Sequence, residues 1–459
     1  MSNFWMDWNY RNMANKLWDK GYDEDARIDA FTVGRDRELD LELAPYDILG
    51  TMAHITMLQS VGLLSKDELD VLLPELRVLY TAASESKFEI EPDVEDVHSQ
   101  VELMLTRKLG DIGKKVHTGR SRNDQVLVDL KLYTRARIEK TVNKVEILFG
   151  TLQEASEKYK DVLIPGYTHL QVAMPSSFGL WFGAYAESLT GDLEMMRAAW
   201  NTVNRNPLGS AAGYGSSAPL NRTLTTELLG FEDLDYNSVY AQMTRGKMER
   251  AVAFAYSSVA ETVGRLAYDG CLYSSQNFGF IKLPDALTTG SSIMPHKKNP
   301  DVFELVRARC NKICGVPNDI RLMTGNLPSG YFRDMQILKE VFFPIFDEMD
   351  SCLDIVEYAV RGMEVKTDVM SDPKYKLAFS VEQVNDLVKS GVSFRDAYRQ
   401  VAASIADGTF EYSGSLNHTH EGSIGNLCND KVAARMETLV SGFGFDKVAA
   451  AVGALLARF

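Results

Sequence analysis

Apolar residues along much of this chain recur in alternating steps of three and four. That is the period of a helix with one buried seam. From Asn123 to about Lys160 the seam reads Ile138, Val142, Val145, Phe149, Leu152 and Tyr159. From about Ser176 to Val203 it reads Phe178, Phe182, Tyr185, Leu189, Met196 and Val203. From Lys247 to Tyr273 it reads Val252, Tyr256, Val259, Val263, Leu266 and Tyr273. These three helices exceed the globular average of about 11–12 residues, and their aromatic residues read as core. Two more helices are expected. One runs from Pro300 to Cys314 and stops at Gly315; the other covers about Gln336–Arg361, with Pro344 as a kink. The pattern predicts an all-α protein with a central bundle over residues 116–365. A smaller helical region with an irregular start precedes it (1–115), and a region of short helices follows (366–459). The stretch Gly408–Gly425 reads as loop or a short hairpin.

The 459 residues are 45% apolar, enough for a large core, and carry a net charge of −14. That balance argues against a general binder of nucleic acid or anionic membrane. Local basic runs therefore stand out and suit a small anionic ligand. Five cysteines (Cys271, Cys310, Cys314, Cys352, Cys428) form no CxxC pair and read as buried thiols, not as a metal site. Met1–Tyr10 lacks the pattern of a signal peptide. No apolar run of about 18 residues is apparent, so no membrane span is expected. A reducing cytoplasm fits.

Three polar segments interrupt the helical pattern. The first, His117–Gln125, offers two arginines and amide donors suited to a carboxylate. It also reads as a plain turn in which Ser121 caps the next helix with Asp124 at its third position. The second, Pro165–Gln171, holds His169 in what reads as a helix–helix turn. The third, Gly290–Pro300, joins a Gly–Ser turn to Lys297-Lys298 and to Asn299-Pro300-Asp301, a helix start with Asn299 as cap. Such a loop could gather an anion, and an ordinary capped loop fits the same residues equally. Glu304, one turn on, could orient a histidine. The first two segments flank one helix of roughly 38 residues, about 55 Å long at 1.5 Å per residue. If both serve one ligand, they come from different subunits, so the spacing itself predicts a homo-oligomer.

At these segments the chain resembles the fumarase/aspartase superfamily. Residues 290–300 fit its GSSxMPxKxNP pattern, and HTGRSRNDQV (117–126), GYTHLQ (166–171) and LPSGY through Lys339 resemble argininosuccinate lyases in particular. The resemblance runs from about residue 40 to 400. It implies a three-domain all-helical lyase whose long helices assemble a tetrameric core, with sites shared among subunits, no cofactor and no metal. It also implies cleavage of argininosuccinate to arginine and fumarate, a β-elimination belonging to arginine biosynthesis. Stabilising the developing charge is then the largest catalytic demand.

Carried over by position, the resemblance makes Ser291 the base, supported by Lys297, and His169 the acid, paired with Glu304 of another subunit. Ser121, Arg122, Asn123, Thr168, Gln171, Asn299, Tyr331, Gln336 and Lys339 match substrate-binding positions. Asp96 and His98 match the site wall, and Arg245 keeps the arginine of an otherwise altered segment. The chain departs from the pattern at Leu17–Gly21, at Met243–Gly246, at His296, and near Gly34 and Asp36, where a serine is usual. Adenylosuccinate and an N-acylated argininosuccinate are the alternative substrates; His117–Gln125 argues against the first, and the altered start leaves the second open. A crystallin-like structural protein is the alternative of another class.

Overall fold

The computed structural model describes residues 26–458. The expectations on Met1–Tyr10 and Leu17–Gly21 lie outside them. The described residues are mostly helical, as the periodicity predicts, with a few short strands. After a short helix, Ala26–Val33, come α1 (Asp36–Ser60), α2 (Lys66–Ser84) and α3 (Val97–Leu109). The long helix α4 (Arg122–Lys158) leads to a hairpin, β1 (Leu163–Thr168) and β2 (Gln171–Ser177). Next come α5 (Phe178–Val203), α6 (Lys247–Ser274), α7 (Asp301–Met323) and α8 (Pro344–Gly362). The chain closes with α9 (Ser380–Lys389), α10 (Phe394–Ala406), α11 (Asn429–Ser441) and α12 (Phe445–Leu456).

Local chemistry explains where these helices begin. Ser65 with Glu68, and Ser121 with Asp124, close reciprocal capping boxes at α2 and α4. Ser177 Oγ accepts the Leu180 N–H at 3.0 Å and starts α5. The seam residues Ile138, Val142, Val145, Phe149 and Leu152 are buried, and so are Phe182, Leu189, Met196, Val252, Tyr256 and Val259. One apolar cluster runs through α4–α8, and a second joins α1–α3 to Leu455 of α12. A small third cluster, Val384, Ala397, Val401 and Phe410, lies in the C-terminal region.

Several expectations need correcting. Pro165–Gln171 is not a helix–helix turn but lies in the β1–β2 hairpin, where Tyr167 pairs with Val172. His169 and Leu170 form its tip with φ of 54° and 55°, the left-handed conformation that two-residue hairpin loops demand. α7 does not stop at Gly315; it continues through Pro317 to Met323 because Val316 and Ile320 are buried against the bundle. Asn299 is not a cap. It pairs with Thr289 in a two-residue bridge, β3 (Thr289–Gly290) with β4 (Lys298–Asn299), and Pro300 holds the cap position without a side-chain bond. Pro344 is no kink either, since it occupies the first turn of α8, after a 3-10 turn at Arg333–Ile337 and a short helix, Leu338–Phe342.

The stretch Asn429–Leu456 reaches a mean hydropathy of 1.5 over a membrane-spanning length. It is two helices of 13 and 12 residues, broken at Gly442–Gly444, where Gly444 has φ of 69°. Each is shorter than the roughly 20 residues a span requires. All five cysteines are free; Cys310 and Cys352 are buried and the other three partly so.

Candidate active site

At the N-terminal end of α4, α1, the start of α3, Arg245 and the segment after α7 enclose a cavity of about 210 Å³. Of the expected residues it gathers Asp96, His98, Arg122, Asn123, Arg245, Tyr331, Gln336 and Lys339. It also includes Asp36, Asp40, Glu95 and Arg333, which the sequence reading did not assign to the site. A signal for two of them was present. Asp36 and Asp40 are one helical turn apart, and Asp47 lies two turns further on the same face, an acidic row on a helix otherwise buried.

The wall is a lattice of ion pairs. Lys339 Nζ lies 2.6 Å from Asp40 Oδ1 and 2.8 Å from Asp36 Oδ1. Arg122 reaches Glu95 and Asp96, each at 3.0 Å, and Arg333 holds the other oxygen of Glu95 at 3.1 Å. Asp96 also caps α3, accepting the Ser99 N–H at 2.8 Å. Gln336 donates to the carbonyls of Thr32 and Val33, and Arg245 donates to Glu249 and to the Met335 carbonyl. These bonds tie the segment after α7 to α6 and to the N-terminal helices.

Burial and neighbouring charge compete here. Burial pushes the Asp36 carboxyl up to about 6, against the pull of Lys339. Burial would lower Lys339, but Asp40 and Asp36 outweigh it and hold it above the usual lysine range. His98 is buried, yet Asp47, Asp96 and Asp129 raise it to about 9. His117 goes the other way, to about 4, through burial and the nearby Arg120 and Arg122.

Ser121 is committed as the cap of α4: its Oγ accepts the Asn123 N–H at 3.3 Å. Asp124 completes that cap and accepts the Gly209 and Ala211 N–H groups, so it anchors a second loop beside the site.

The remaining expected residues lie elsewhere. Thr168, His169 and Gln171 are exposed on the hairpin, past the C-terminal end of α4. An unbroken helix of 37 residues separates them from Arg122, about 55 Å by its rise. Tyr167 packs the hairpin against Phe278 and Phe280, at the C-terminal end of α6. The Ser291 loop is at this same end. Met294, His296, Lys297 and Asn299 line a cavity of about 510 Å³ with Cys271 and Lys282. Ser291 Oγ accepts the N–H groups of Ile293 and Met294, at 3.3 and 3.1 Å. Two amide donors on one oxygen favour negative charge there. Glu304 is exposed in the first turn of α7, and among the described residues no hydrogen bond joins it to His169.

A family model described as lyase matches residues 4–315. An argininosuccinate lyase of Parabacteroides distasonis is 64% identical, over 95% of this chain and 98% of its own length. That of Bacteroides thetaiotaomicron is 60% identical over 97% and 100%, and that of Thermotoga neapolitana 38% over 85% and 98%. Among solved structures, EDDS lyase in complex with formate has a TM-score of 0.77 at 22% identity, covering 95% of both chains. A fumarate lyase:delta crystallin from Brucella melitensis has a TM-score of 0.68 at 17% identity, covering 90% of this chain and 91% of its own. The structural likenesses establish the fold, and near-full-length identity above 60% establishes more: the chain belongs to the argininosuccinate lyase family of the fumarase/aspartase superfamily.

Proposed function

We propose that the protein cleaves argininosuccinate reversibly to arginine and fumarate, a carbon–nitrogen lyase of arginine biosynthesis acting in the cytoplasm. The observation that carries the reading is the identity of 60–64%, over nearly the whole chain, to argininosuccinate lyases. The polar cavity that gathers Arg122, Asn123, Tyr331, Gln336 and Lys339 supports it.

In this reading Ser291 Oγ removes the proton beside a substrate carboxylate. The electron pair moves into that carboxylate and gives a doubly charged intermediate. It then returns to form the carbon–carbon double bond as the carbon–nitrogen bond breaks, and His169, oriented by Glu304, protonates the leaving nitrogen. Lys297 and the Ile293 and Met294 amides stabilise the serine oxygen and the intermediate. Asn299, Thr168 and Gln171 bind the fumarate end. Arg122, Asn123, Arg245, Tyr331, Gln336 and Lys339 line the other part of the site, with Asp96 and His98 in its wall.

The division of the chain remains 1–115, 116–365 and 366–459. The assembly is a homotetramer around α4–α8, with the Ser291 loop and the His169 hairpin each brought to the Arg122 cavity by other subunits. The helix length between Arg122 and His169 supports that arrangement.

Purified protein given argininosuccinate is expected to release fumarate, followed by its ultraviolet absorbance. Ser291→Ala is expected to lower kcat by at least about 10²-fold, with oligomer size unchanged. Turnover of adenylosuccinate but not argininosuccinate overturns the substrate. Near-full activity in Ser291→Ala overturns the base.

A further inference from the structure

His98 lines the cavity at Arg122 and Lys339, and its Nδ1 meets buried acids. Nδ1 lies 2.7 Å from Asp47 Oδ1 on α1 and 3.6 Å from Asp129 Oδ2 on α4. Asp47 is 1% exposed and Asp129 0%. Among the described residues, Asp47 Oδ2 and both oxygens of Asp129 have no hydrogen-bond partner. The three donor atoms lie within 4.8 Å of one another, but Nδ1 is already engaged by Asp47, so the cluster reads as a charge pair with a second acid behind it. Two buried carboxyl groups beside one ring are costly unless the ring is cationic.

We propose that Asp47 is a positioning residue for the lyase reaction: it fixes His98 through Nδ1 and keeps the ring a pocket-facing cation, with Nε2 left to meet an anionic group of the substrate. The substrate part rests on the function proposed above; the charge of the ring does not.

The groups facing His98 come from every neighbouring element. They are Asp47 on α1, Asp129 on α4, Asp96 before its own helix and His117 on the segment before α4; behind them, Asp40 and Arg120 act on Asp129, and Arg122 on Asp96. Arg120 has its Nη1 on Thr51 and its Nη2 on the Val116 carbonyl, so it is held by neutral groups and faces the acids across the cluster. Burial and the neighbouring Asp47 raise the Asp129 carboxyl well above its ordinary range, which leaves Asp47 as the closer and stronger counter-charge.

The test is histidine NMR on protein labelled at the imidazole Cε1. The His98 signal is assigned by its loss in His98→Gln, and kcat/KM is measured against pH alongside. In the wild type the His98 signal is expected to stay in its protonated form past pH 8. In Asp47→Asn it is expected to titrate near or below pH 6.5, and kcat/KM at pH 8 to drop about tenfold or more relative to pH 6. A wild-type His98 that titrates below pH 7 overturns the proposal whether or not Asp47→Asn folds. An unmoved titration or an unmoved kcat/KM profile in Asp47→Asn does so as well. A wild-type protein that turns over no argininosuccinate overturns the substrate reading, and the NMR titration then decides the charge of the ring by itself.

Discussion

His98 and His54 are both buried, and their surroundings drive them in opposite directions. His54, fully buried with Nε2 2.8 Å from the Thr118 carbonyl, is pushed well below the usual histidine range by burial and by Arg120. His98, equally buried, is raised to about 9 because its neighbours are carboxylates. The linkage signs follow. A histidine raised in the folded state stabilises it fully below the unfolded value near 6.5, and that contribution is lost as pH rises towards 9. A histidine lowered in the folded state loses its contribution as pH falls below about 6.5. Denaturant unfolding at pH 6.5 and at pH 9 should therefore show a loss on the alkaline side to which His98 contributes about 3 kcal/mol. In His98→Gln that part of the loss is expected to vanish; an identical loss in the variant would contradict the charge assigned to the ring. Neither environment was legible from the residue itself, since His98 in sequence is only one histidine after an acidic pair. What separates the two is the charge around them: carboxyl groups of α1 and α4 lie 2.7 and 3.6 Å from His98, whereas His54 meets the Thr118 carbonyl and the charge of Arg120.

At the scale of elements, the long helices were legible because each seam repeats for six or more turns, and local chemistry cannot counterfeit so long a period. The shorter features were not. The β1–β2 hairpin has no Asn-Gly or Gly-rich turn to announce it; His169 and Leu170 adopt a conformation that such turns usually reserve for glycine. The end of α7 was missed because Gly315 and Pro317 are local stop signals that burial of Val316 and Ile320 overrides. Helix packing itself is close where α6 meets α7. A Cβ on Gly270 would lie 2.6 Å from the Phe303 ring, which is wholly buried. Gly270→Ala should thus cost about 1–3 kcal/mol by overpacking, measured as a lower denaturation midpoint. A stability within about 0.5 kcal/mol of the parent would show that the interface yields.

At the scale of the whole molecule, one chain holds the proposed catalytic groups at two ends of its bundle. The cavity at Arg122 and Lys339 is at one end; the His169 hairpin and the Ser291 loop are at the other. On the shared-site reading, His169→Asn and Lys297→Ala proteins, each inactive alone, should regain a fraction of wild-type kcat when their subunits are mixed. The regained rate should scale with the share of mixed tetramers seen by native mass spectrometry. Verified mixed tetramers without activity would count against shared sites.

Read alone, the sequence determined the all-helical class, the long bundle and the segments that carry the family likeness. It also determined that His117–Gln125 and Pro165–Gln171 stand a helix apart. Those properties are periodic or contiguous, so they survive in one dimension. Only the tertiary structure decided that Asp36, Asp40, Glu95 and Arg333 share the cavity wall. It alone placed Asp47 and Asp129 behind His98. Ion pairs form between residues tens to hundreds of positions apart, as Lys339 does with Asp36 and Asp40. Their partners, and the protonation those partners impose, exist only once the helices have packed.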